Sequence, residues 1–137
     1  MTIDLKYGSV PLVAFCLLLF SGCGGGETLP DCSPVSGRVT LDGDPIGWAE
    51  ILTFPQGGGR TKNGAGRVDN GDYYLSTYEK GDGGLHGVHK VVITNYEDTT
   101  GGPRVPLPFV NLFTTPLEIT VVPGEENKID IELRDFL

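Results

Sequence analysis

Glycine and proline recur so evenly along this chain that the longest stretches free of both, residues 88–100 and 125–137, hold thirteen residues each. Both residue types are costly inside helices, glycine through its backbone entropy and proline through its missing donor, so little room is left for helical packing. The two long stretches alternate apolar and polar residues with period two, which is the spacing of a strand with one face buried. His89, Val91 and Ile93 share one face of the first, and Ile129, Ile131 and Leu133 share one face of the second. Residues 35–41, 48–54, 66–68, 73–77 and 117–122 supply further short strands. Seven strands punctuated by turns argue for a β-sandwich.

The turn residues assign connections. Asp42-Gly43-Asp44-Pro45 ends the strand over 35–41, and Asp69-Asn70-Gly71-Asp72 carries the Asn-Gly pair of a tight hairpin, since both residues tolerate positive φ. Pro123-Gly124-Glu125-Glu126-Asn127 separates the last two strands, and its length predicts that they form a hairpin with each other. In 48–54 the adjacent Ile51 and Leu52 leave the register open. Either Ile51 faces outward, or a bulge near Glu50 brings both side chains to the core.

The N-terminus reads as a targeting segment. Lys6 precedes the apolar run 10–20, which is followed by Ser21-Gly22 and then Cys23. Eleven apolar residues, interrupted by Pro11, fall short of the ~20 needed to span a bilayer. Phe20-Ser21-Gly22-Cys23 resembles the lipobox of bacterial lipoproteins, with Phe in place of the usual Leu at its first position. The resemblance implies cleavage before Cys23 and lipidation of its thiol, with ordinary secretion, or a Cys23–Cys32 loop, as the alternatives. The expected organisation is a signal peptide over 1–22, a flexible tether over 23–33 and a single domain over 34–137. Gly24, where lipoproteins retained in the inner membrane carry Asp, directs the expectation to the outer membrane. The implied partner is therefore the membrane, through a lipid anchor in the cell envelope.

The ordered set Val35-Ser36-Gly37-Arg38-Val39-Thr40-Leu41-Asp42-Gly43-Asp44-Pro45-Ile46, Leu52-Thr53-Phe54-Pro55, Asp69-Asn70-Gly71-Asp72-Tyr73-Tyr74-Leu75, Gly87-Val88-His89-Lys90-Val91-Val92-Ile93 and the 115–133 segment resembles bacterial lipoproteins with a carboxypeptidase regulatory-like domain. That resemblance implies an all-β fold, a seven-stranded antiparallel Greek-key β-sandwich of the transthyretin kind. It implies no activity, because in the carboxypeptidases the similar domain is a non-catalytic companion. Two positions depart from the pattern. His89 stands where related chains have Tyr, and Leu107-Pro108-Phe109-Val110-Asn111-Leu112-Phe113 lacks the Tyr of their Leu-Pro-x-x-Tyr motif, so a role tied to that Tyr does not carry over.

With 10 Lys+Arg against 18 Asp+Glu, the chain has too few bases for a phosphate backbone, and nucleic acid is not expected as a partner. His86 and His89 lie three apart, which on a strand points them to opposite faces and argues against a shared metal. Asp42, Asp44, Asp69, Asp72, Glu125 and Glu126 fall in turns, where carboxylates bond the backbone, with weak calcium binding the alternative. Ser33, Ser36 and Ser76 lack a nucleophile elbow and show no pairing with histidine; Cys32 is a single thiol at the end of the tether. Neither a catalytic set nor a cofactor is expected.

The long connection over 96–115 holds Phe109, Val110, Leu112 and Phe113, and two roles are open to it. It seals the sandwich with Phe109 and Phe113 buried, or it presents them with Trp48 as a protein-contact patch. The candidate partner-contact residues are thus Trp48, Phe109 and Phe113. A carbohydrate-binding role would draw its platform from Trp48, Tyr73, Tyr74 and Tyr96. The expected function is a non-catalytic structural or protein-interaction module of the envelope, with ligand binding as the alternative.

Overall fold

A computed structural model describes residues 28–59, 61–94 and 104–135. Cys23, the targeting segment, residues 24–27 of the tether and Tyr96 lie outside the described residues. Within them the chain is all-β, with largely antiparallel sheets that curl into a half-barrel. The strands are β1 (Cys32–Ser33), β2 (Val35–Leu41), β3 (Asp44–Pro45), β4 (Trp48–Pro55), β5 (Gly64–Asp69), β6 (Asp72–Tyr74), β7 (Gly84–Leu85), β8 (Gly87–Thr94), β9 (Glu118–Val121), β10 (Asn127–Lys128) and β11 (Ile131–Leu133). One 3₁₀ turn, Leu107–Val110, interrupts the connection between β8 and β9.

The main sheet runs in the order β10-β2-β6-β5-β4-β8-β9, with β11 and β3 also on β2, while β1 and β7 pair separately. Strand β4 lies between β5 and β8, running from Trp48 opposite Asp69 on β5 to Pro55 opposite His89 on β8. Alternation sends Ala49, Ile51 and Thr53 inward from β4, and His89, Val91 and Ile93 inward from β8, all fully buried. The pairing of β4 is continuous with both neighbours from Glu50 to Thr53, so no bulge is needed. Ile51 faces the core, and Leu52, half-buried, belongs to the other face. Neither register considered for 48–54 is the one adopted, because Ala49 and Thr53, small enough to look non-committal in sequence, complete the inner face.

The Asn70-Gly71 turn forms as its residues dictate. Asp69 pairs with Asp72 across it, with φ of 51° at Asn70 and 90° at Gly71. The last two strands do not form a hairpin. β9 adds antiparallel to β8, whereas β10 and β11 add parallel to β2, so Pro123–Asn127 crosses from one edge of the curled sheet to the other. The sheet is therefore mixed rather than wholly antiparallel.

The crossing has local causes. Asn127 accepts the Val122 N–H through Oδ1 at 2.9 Å and donates from Nδ2 to Val122 O and Pro34 O, tying the end of β9 to the start of β2. Between β10 and β11, Ile129 N–H donates to Ser36 O, the Tyr73 hydroxyl donates to Ile129 O at 2.6 Å, and Asp130 accepts the Arg38 N–H at 3.0 Å. Gly37 is what lets the strand pass, since a Cβ there would collide with the Ile129 carbonyl.

Ordered pairing also begins earlier than the expected domain start at 34. Cys32 pairs with Leu85 and Ser33 with Gly84, so the last two residues assigned to the tether belong to the fold.

Candidate functional site

The register sorts side chains to two ends of the half-barrel. At one end lie Pro55, the start of β8 and the end of β9, where Val121 pairs with Gly87; β1 and β7 pack there. At the other lie Trp48 and Thr94, since Glu50 pairs with Thr94 and Trp48 extends beyond it. Thr115 Oγ1 donates to Val91 O and Val91 N–H to Leu117 O, so the chain preceding Thr115 runs toward this second end.

At the first end a cleft of about 530 Å³ is lined by Asp31, Cys32, Ser33, Pro34, His86, Gly124, Glu125 and Glu126. On the other side of His86 is a smaller cleft of about 230 Å³, which Pro30, Pro55 and Leu85 help to line. Ser33, almost completely buried, holds its Oγ 2.9 Å from His86 Nε2 and accepts the Gly124 N–H at 3.2 Å. This serine–histidine pairing was not legible in the sequence: 53 residues separate the partners, and only the β1–β7 pairing brings them together. The arrangement ties three segments, β1, the residue after β7 and the turn after β9. Ser33 Oγ thus faces the His86 ring and accepts the Gly124 amide, and in doing so it clasps these segments together.

Beside it, burial and then the Asp82 carboxylate push the Cys32 thiol up, helped by Asp31 and opposed by a hydrogen bond with Thr77. A thiol kept protonated in this way is a weak nucleophile. Among the described residues no group of three or more His, Cys, Asp or Glu converges to hold a metal ion. His89 turns inward with Nε2 on Leu85 O at 2.6 Å, while His86 is exposed and turned to Ser33, so the two rings do not share a ligand. Among the acidic turn residues, Asp72 Oδ1 lies 3.4 Å from Arg38 Nε, the Asp42 N–H donates to Leu133 O with φ of 49°, and the Glu125 carbonyl accepts Asn127 Nδ2.

At the second end the three candidate contact residues separate. Phe109 is a core residue, 2% exposed, and leaves the contact set. Its turn presses it inward against the curled sheet, with Val105 buried beside it in the same core. Phe113 is 92% exposed and Leu107 81%. Trp48, 40% exposed, stacks under the Arg67 guanidinium, 5.1 Å from its ring centroid. The sealing and presenting roles are therefore divided within one segment, which alternation could not reveal because the segment is a turn and not a strand. Its shape is set by polar bonds: Asn111 Oδ1 accepts the Phe113 N–H at 2.8 Å, and the Thr114 hydroxyl donates to Pro108 O at 2.8 Å. Tyr73 is buried with its hydroxyl on Ile129 O and leaves the carbohydrate platform, whereas Tyr74 stays half exposed.

Compared with known proteins, the chain matches no family model, no curated protein and no solved structure.

Proposed function

We propose that this chain is a lipid-anchored module of the bacterial cell envelope, tethered through Cys23 and contacting another envelope protein at the end of its domain remote from the tether. The observation that carries this reading is the pair Leu107 and Phe113, which stand almost fully in solvent on a hydrogen-bonded turn. Large apolar side chains held rigidly in water are unfavourable for an isolated domain and favourable at a contact. The tether enters at Cys32, at the other end of β8, so an anchored domain would turn this turn away from the lipid.

The finer fold reading, a seven-stranded Greek-key sandwich like the carboxypeptidase regulatory domain, is supported by the order of the strand and turn motifs. The lipobox-like residues and Gly24 support outer-membrane placement. The module is read as non-catalytic, with the Ser33–His86 pair found among the described residues read as a clasp. Phe113→p-benzoylphenylalanine, photo-crosslinked in intact cells, is expected to give a discrete protein adduct, with the same probe at Glu125 giving none. Adducts at 125 and not at 113 would reverse the orientation, and adducts at neither site would end the contact reading.

A further inference from the structure

The interior is not uniformly apolar. Toward Trp48 the inner faces carry Ile46, Ala49, Ile51, Val68 and Ile93, but toward Pro55 they carry Thr53, Thr77 and His89. Thr53 Oγ1 and His89 Nδ1 are wholly buried, and neither has a hydrogen-bonding partner among the described residues. Their needs are complementary. A carbonyl only accepts, so His89 Nε2 carries the hydrogen it gives to Leu85 O, and the Nδ1 lone pair is left as an acceptor. Thr53 has a hydroxyl hydrogen to give. Thr77 spends its own hydroxyl hydrogen on Gly83 O at 2.7 Å and retains acceptor capacity.

The three groups share one region of the core. Thr53 pairs with Val91 and Pro55 with His89, so Thr53 and His89 are diagonal neighbours on the inner face, within reach of one small bridging group. Gly64, opposite Thr53, has Thr53 Oγ1 and Thr77 Oγ1 as the nearest side-chain atoms to where its Cβ would be, and Gly84 lies against the His89 ring. Leaving a buried hydroxyl and an imidazole nitrogen unbonded would cost about 1–3 kcal/mol each.

We infer that a single internal water is bound here, accepting from Thr53 and donating to His89 Nδ1 and Thr77 Oγ1. Those three bonds match the usual valence of a buried water and give both Thr53 Oγ1 and His89 Nδ1 a partner. The site lies behind Leu85, the residue on which β1 docks, so the water braces the point where the tether enters.

A high-resolution crystal structure of the wild type is expected to show one ordered water within ~3.2 Å of all three atoms. A direct Thr53–His89 bond, or no density between them, would overturn the inference. Thr53→Val gives a second, oppositely signed reading. With the water present the substitution removes one of its partners, and the melting temperature is expected to fall by about 4 °C or more. Without it the substitution removes an unbonded hydroxyl, and an unchanged or raised melting temperature would count against the water. Should that variant fail to fold, the wild-type density decides.

Discussion

Asp82 is a small feature with a large local effect. Its carboxylate accepts the backbone N–H groups of Thr77, Tyr78 and Glu79 at 2.7, 2.9 and 2.9 Å, closing the turn between β6 and β7. Slight burial pushes this carboxyl up, but the amides of Thr77, Glu79 and Tyr78 outweigh it and hold it below the ordinary aspartate value. A carboxyl lowered in the folded state contributes stability that is fully present above its unfolded value of ~3.9 and is lost as pH falls through the folded value. Asp82→Ala is expected to cost about 1 kcal/mol in urea unfolding at neutral pH, and the gap from wild type should shrink as the pH is taken to about 3. A gap that stays constant with pH would mean that the carboxylate's charge is not what closes the turn. Asp82 is not singled out in the sequence reading. Its three donors depend on the chain folding back over five positions, which composition does not specify.

At the scale of elements, the parallel addition of β10 and β11 to β2 depends on one missing side chain. Gly37→Ala should force the Ile129 carbonyl away and destabilise the domain by about 2 kcal/mol or more, since the obstacle is backbone and cannot rotate aside. Amide hydrogen exchange is expected to speed up at Arg38 and Ile129, whose N–H groups bond across this junction. Protection retained at both would show that the strand passes without the glycine. The 104–117 segment gives a sharper contrast. Phe109→Ser should cost about 3 kcal/mol or more, the penalty of emptying a buried aromatic site, whereas Phe113→Ser should stay within about 0.5 kcal/mol. Thermal unfolding of the two variants side by side checks both, and equal losses would place Phe113 in the core as well. The expected C-terminal hairpin failed at this same scale. Alternation states which face of a strand is buried but not which neighbour it meets, and a five-residue turn is as able to bridge two edges of a curled sheet as to reverse one strand.

For the whole molecule, the separation of the two ends matters most. With β1 docked, only residues 24–31 remain between Cys23 and the fold, a reach of at most about 29 Å when fully extended. Intact mass and membrane fractionation of native protein should show wild type cleaved before Cys23, heavier by its acyl chains and in membranes, with Cys23→Ala unacylated and out of the membrane fraction. Two soluble, unacylated proteins would remove the anchor and return the domain to a secreted binding role. By itself the sequence determined that the chain is all-β, where its strands alternate, that Asn70-Gly71 turns tightly and that His86 and His89 diverge. These follow from φ preferences and the two-residue period, both local properties. Only the tertiary structure decided that β9 and β10 part company, that Ser33 meets His86, that Phe109 turns inward while Phe113 does not, and that a threonine and a histidine are enclosed together. Each of these depends on which distant segment arrives alongside, and so on the curl of the sheet, which no local period encodes.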